Sequence, residues 1–194
     1  MRWAQTDPES CGAASLMVAL SEAGIGDLSR DREMELWERI RASGQYPGSI
    51  PGKIAVEAAR QGLSPRLWVD PERIAVAREA LGGLAAFDVP TLLAEHARGL
   101  AAARAGGVPV EERLTDGRAM VQAMRDGASL MAGFVIFLPD GKITLHWRLY
   151  RFVGNAIWEM DPDGAQEAPK TENQIVDLLA GQTYIGVAVS MRRP

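Results

Sequence analysis

The apolar residues of this chain change their spacing once, and that change constrains the fold more than any other feature. Up to about residue 127 they recur at three- and four-residue intervals, and from Leu130 onward they alternate. The first period buries one side of a helix, the second one face of a strand. The N-terminal part therefore reads as helices and the remainder as a mostly antiparallel sheet, an α+β layout. Helices are expected from Cys11 to near Gly24, over Asp31–Ala42, over Gly52–Gln61, over Asp116–Arg125 and over Thr171–Ala180. Residues 71 to 107, rich in Ala, Leu and Arg, read as helical with breaks at Gly82-Gly83 and Pro90. Strands are expected at 66–69, 130–138, 143–153, 157–160 and 184–191, and 108–114 as a connector or short strand. Pro139-Asp140-Gly141 and Gly154-Asn155 form turns. Residues 43–52, with three glycines and two prolines, form a loop.

A chain of 194 residues suits one domain. Its net charge of -4, with Lys and Arg scattered, argues against nucleic acid or an anionic membrane as the main partner. No apolar run approaches the length that spans a bilayer. The opening Met-Arg-Trp-Ala-Gln-Thr-Asp-Pro-Glu lacks the apolar core of a secretory signal. A single cysteine excludes an internal disulfide and a multi-cysteine metal site, and fits a reducing compartment. The expectation is a cytoplasmic protein with no cofactor and no metal.

That cysteine, Cys11, stands where a polar loop meets an apolar helix, with Ser10 as the candidate N-cap. A thiol becomes a good nucleophile when ionised, and a helix N-terminus favours the anion. Gly12 permits close approach to the sulfur, and Ala13 and Ala14 keep the first turn open. The Cys11 backbone N–H, at the helix end, can donate to an oxyanion held over the sulfur. Gln5, six residues upstream, can supply a second, uncharged donor. Without further context, an inert buried thiol is an equal reading of Cys11, and a surface amide the default for Gln5.

Of the two histidines, His96 lies in Leu-Ala-Glu-His-Ala-Arg and reads as a solvated helix position. His146 lies inside an apolar strand, Ile-Thr-Leu-His-Trp-Arg-Leu-Tyr, and is either a satisfied core residue or a base. A base needs an acceptor on its other ring nitrogen. Across the Gly154-Asn155 turn, antiparallel pairing puts positions near 146 and 161 roughly abreast, so Asp161 can hold the ring. Asp163 is the fallback, and an ordinary Asp-Pro-Asp-Gly turn the alternative for both. Trp3 and Trp147 flank these residues in sequence, with aromatic core packing as the simpler reading.

The segment Gln5–Leu16, Q-T-D-P-E-S-C-G-A-A-S-L, resembles the nucleophile motif of the peptidase C39-like group of papain-fold cysteine proteases. His146–Pro162 resembles the group's second motif, a strand histidine followed some fifteen residues later by Asp-Pro. Weaker likeness at 50–69 and 114–136 extends the resemblance over most of the chain. It implies a papain-like fold, N-terminal helices packed on a C-terminal mostly antiparallel sheet. It also implies Cys11 as nucleophile, His146 as base, Asp161 as its orienting partner and Gln5 in the oxyanion hole. Three departures stand out: Ser10 where Asp or Tyr is usual, Trp147-Arg148 after the histidine, and a connection at 71–113 long enough to be an inserted helical layer. With no transporter segments in the chain, cleavage of a double-glycine leader is not implied.

The resemblance implies a thioester acyl-enzyme on a peptide, amide or thioester substrate, a specific protein included. Water resolving it makes a peptidase or amidase, and a bound amine or alcohol makes an acyltransferase. A non-catalytic peptide-binding module on the same fold is the reading from another class. An effector acting on a host protein would share the chemistry and differ in partner. The pocket walls are expected from residues 43–52 and 71–113.

Overall fold

The first helix, α1 (Cys11–Glu22), is buried from Cys11 through Leu20. A helix apolar on every side has to lie inside the molecule, and Leu16, Met17 and Leu20 are each fully enclosed. At about 1.5–3 kcal/mol for a buried side chain of this size, these residues make α1 the anchor of the core. A computed structural model describes residues 1–43, 48–82, 88–137 and 143–194. Among these, α1 is followed by α2 (Arg30–Ile40), α3 (Pro51–Arg60), β1 (Ser64–Val69), α4 (Pro71–Gly82), α5 (Val89–Ala105) and β2 (Val110–Glu112). Then come α6 (Gly117–Arg125), β3 (Ser129–Phe137), β4 (Ile143–Val153), β5 (Ala156–Asp161), β6 (Gln166–Lys170), α7 (Glu172–Ala180) and β7 (Tyr184–Arg192).

The strands form one sheet in the order β2-β1-β7-β3-β4-β5-β6. Among the described residues only β1 and β2 pair in parallel, and the other neighbours are antiparallel. The α+β reading holds, but the helical break expected at Pro90 does not occur, because that proline sits in the first turn of α5, where it is tolerated. The Pro139-Asp140-Gly141 turn, Gly83 and residues 44–47 of the loop at 43–52 lie outside the described residues.

Helices cover both faces of the sheet, one more layer than the expected single packing. Met131, Leu149 and Val189 point toward α1–α3, while Leu130, Tyr150 and Ala188 pack with Met120, Met124 and Ile175 of α6 and α7. Buried residues thus alternate between two cores along each central strand, as the pleat dictates. The sequence reading missed β6 and the 3-10 turn at Asp163–Ala165.

Helices α3 and α5 meet at a pair of glycines. A Cβ on Gly52 would lie 2.1 Å from the Gly99 carbonyl oxygen, a backbone atom that no rotamer change can move. Overpacking a core costs about 1–3 kcal/mol, and Gly52→Ala is expected to reach the upper part of that range. Urea unfolding checks it: the midpoint falls while the slope holds. An unchanged midpoint would mean that α5 does not seat on α3 this closely.

Candidate active site

Cys11 is the first residue of α1 and is 3 % exposed. The N–H groups at this end have no partner within the helix, so they face the sulfur's surroundings as unspent donors. Ser10 occupies the N-cap position but makes no capping bond. Its hydroxyl instead donates to Glu33 Oε1 at 2.5 Å and accepts from the Asp7 N–H at 3.1 Å.

Glu33 is the feature that sequence reasoning missed. Nothing in the sequence singles it out from the other charges of α2, yet it is fully buried. Its carboxylate accepts from Trp3 Nε1 at 2.6 Å, Thr6 N at 2.8 Å and Thr6 Oγ1 at 2.7 Å, besides Ser10. All four donors are neutral, and all belong to the loop that leads into Cys11. A buried carboxylate is tolerable only with such saturation. Trp3 is therefore fastened to Glu33 rather than lining the site.

Gln5 rides on that loop. Its backbone N–H donates to the Pro162 carbonyl at 2.9 Å, which joins the loop to the residue after Asp161. Its side-chain amide donates to Asp7 O at 3.1 Å and Pro8 O at 2.8 Å, and Gln5 Oε1 is buried without a partner. Both amide hydrogens are spent on the loop, so donation to an oxyanion requires the side chain to turn.

His146 is buried on β4 and places Nε2 2.6 Å from Asp161 Oδ1 at the end of β5. Leu149 faces Met160, so Asp161 stands beside Arg148 and one diagonal step from His146. The other ring nitrogen, Nδ1, is left for the thiol, and Cys11 and His146 line the same pocket. Burial works against the imidazolium, but the Asp161 carboxylate and Cys11 more than compensate and push His146 up to about 9. Burial likewise works against the Asp161 anion, yet the His146 bond, the Asp163 N–H and Arg148 hold its carboxyl below the ordinary value. Asp163 contributes that N–H to Asp161 Oδ1 at 3.0 Å, while its side chain is exposed. Arg148 Nε lies 3.0 Å from Asp161 Oδ2, an ion pair without hydrogen-bond alignment. The structure thus joins His146 to Asp161 by a hydrogen bond and sets Cys11 and His146 in the wall of one pocket.

Beside them opens a pocket with a cavity of about 80 Å³. Its walls include Ser49, Ile50 and Pro51 from the loop entering α3, and Ile74, Leu81, Leu92 and His96 from α4 and α5. Both segments expected to supply walls do so. Trp147 lines it too and is 4 % exposed, so it serves the core and the pocket together. Gly12 is small for a local reason: a Cβ there would meet Ser49 Oγ at 2.3 Å and Trp147 Cδ1 at 3.2 Å. His96 is not the solvated residue expected; it is half-buried, with Nε2 enclosed. The contradiction arises because α5 lies over the pocket, which an Ala-rich sequence does not disclose. Glu95, the neighbour of His96, is buried and bonded to Ser43 and Arg98, which fixes the face α5 presents.

Among the described residues no group of His, Cys, Asp and Glu could hold a metal ion, and no helix is long and apolar enough to cross a membrane. A family model described as "Peptidase_C39 like family" matches residues 2–180. No curated protein matches the chain.

Proposed function

The chain belongs to the Peptidase_C39 like family and has its papain-like fold, and from that premise we propose that it is a cysteine hydrolase that cleaves a peptide or amide bond through a thioester acyl-enzyme. The observation that carries this reading is His146, held by Asp161 at 2.6 Å and lining the pocket that Cys11 also lines. His146 takes the Cys11 proton, and the thiolate attacks the substrate carbonyl. The Cys11 N–H receives the developing oxyanion, with Gln5 as second donor once its amide turns. His146 then returns the proton to the leaving amine, and water activated by the same imidazole cleaves the thioester. Asp161 fixes the ring and stabilises its charged form.

Intact mass after exposure to an activated acetyl ester tests the reading. The expected result is one acyl adduct on Cys11, absent from Cys11→Ala and discharged by water. Discharge only on adding an amine would make the protein an acyltransferase. An unreactive Cys11 would remove the enzymatic reading. One observation favours that last outcome and with it a peptide-binding module: the Gln5 amide is engaged by the Asp7 and Pro8 carbonyls.

The pH dependence follows from His146. Because its pKa is raised to about 9, the imidazolium persists below that pH and is lost above it. Acylation should therefore decline on an upper limb near pH 9. Asp161→Asn removes a charge that favours the imidazolium, so the limb moves to lower pH. A limb that stays in place would mean that Asp161 does not act on the ring.

A further inference from the structure

Among the described residues, Ser49 Oγ and His96 Nε2 are both buried without a hydrogen-bond partner, and both residues line the pocket beside Cys11. Ser49 is 8 % exposed and abuts Gly12, the residue after the thiol. His96 stands on the wall that α5 supplies. Around them the surface is apolar, with Ile74, Leu81, Leu92, Leu145 and Ile185 contributing. A buried polar group left unbonded costs about 1–3 kcal/mol, which a bound group that satisfies it recovers.

The size and polarity of the space narrow what that group is. A cavity of about 80 Å³, at roughly 10–15 Å³ for each water-sized unit, takes about 5–8 non-hydrogen atoms. That suits a benzene ring with one or two small substituents better than a long acyl chain. The polar end is neutral, because burial lowers the pKa of His96 and leaves the imidazole uncharged at neutral pH. A carboxylate buried there would lack a free counter-charge, since Arg78 is exposed and the His146 imidazolium is already paired with Asp161. A hydroxyl both donates and accepts, so it meets either tautomer of the ring.

We propose, resting on the reading of Cys11 as an acyl-accepting thiol, that this pocket selects a phenol-ended group of the substrate, a tyrosine-like side chain or a hydroxyphenyl acyl group. The ring lies among the apolar walls and its hydroxyl bonds His96 Nε2. Ser49 Oγ, next to the thiol, bonds the polar link between the ring and the reacting carbonyl. His96 is then a specificity residue that takes no part in the proton transfers.

The test uses Cys11→Ala protein, which keeps the pocket and cannot react, with p-cresol and toluene as probes. Calorimetry gives the affinities, and the His96 ring-proton resonance, one of two histidine signals in this chain, reports contact. p-Cresol is expected to bind about tenfold more tightly than toluene, the value of one satisfied hydrogen bond in an apolar pocket. In His96→Leu the preference disappears while toluene still binds. His96→Gln keeps a hydrogen-bonding end and part of the preference, so the test survives if the leucine variant folds poorly. Equal affinities, no binding of either probe, or tighter binding of 4-methylbenzoate would overturn the proposal. These outcomes are separate from the acyl-adduct experiment. A p-cresol preference in a protein whose Cys11 takes no acyl group would keep the pocket and sink the enzyme.

Discussion

His146→Ala should slow acylation of Cys11 by an activated ester about a thousandfold near neutral pH, the scale of a lost general base. The effect is large because one side chain has two duties. In the proposed reaction it receives the thiol proton and then returns it to the leaving group. No other residue can take over: His96, the second histidine, lies on α5 and is held uncharged by burial. The fold is expected to survive, because Asp161 keeps the Asp163 N–H and the Arg148 guanidinium as partners. The measurement is the second-order rate of adduct formation, with the circular dichroism spectrum as the check on folding. A loss smaller than about tenfold would show that the thiol reacts without this base.

The largest effect on stability is expected at Glu33. Glu33→Ala leaves Trp3 Nε1, the Thr6 N–H and two hydroxyls without their acceptor. Hydrogen bonds to a charged group contribute about 1.5–3 kcal/mol each, and losses within one cluster overlap, so about 3–5 kcal/mol is expected for the whole. Glu33→Gln preserves the shape and one acceptor oxygen but sets an NH₂ against donors, so it should lose a smaller part. The consequence reaches the thiol, because the loop that this carboxylate fastens carries Gln5 and ends at Cys11. Acylation should therefore slow in Glu33→Gln even where the protein stays folded, measured at a temperature well below its Tm. Full rates in both variants would confine Glu33 to packing.

The elements written in apolar spacing were legible in advance. The buried run of α1, the switch to period two at β3 and the turn between β4 and β5 rest on local pattern. So did the spacing that brings Asp161 to His146. What stayed hidden depends on contacts remote in sequence. β6 reads Gln-Glu-Ala-Pro-Lys, with little strand propensity and a proline, and it forms because it is an edge strand that needs partners on one side only. Glu33 sits among the charges of Asp-Arg-Glu-Met-Glu, and nothing local separates it from its exposed neighbours. The sole hint was the number of uncommitted donors at Trp3, Thr6 and Ser10, close together just before an apolar helix. His96 was hidden by its alanines in the same way. Ser10 drew attention as a helix cap, which is what that residue type does by default, and Glu33 outcompeted the backbone for it.

The order of the site along the chain also has a consequence for biosynthesis. Cys11 leaves the ribosome early, whereas β4 and β5, which carry its base and the base's partner, follow more than a hundred residues later. At roughly 5–20 residues per second this interval is on the order of ten seconds. Throughout it the nascent polypeptide bears the thiol without His146. On the proposed function, a half-made copy would be chemically quiet toward the ribosome and its own chain, and a product truncated before β4 would never acquire reactivity.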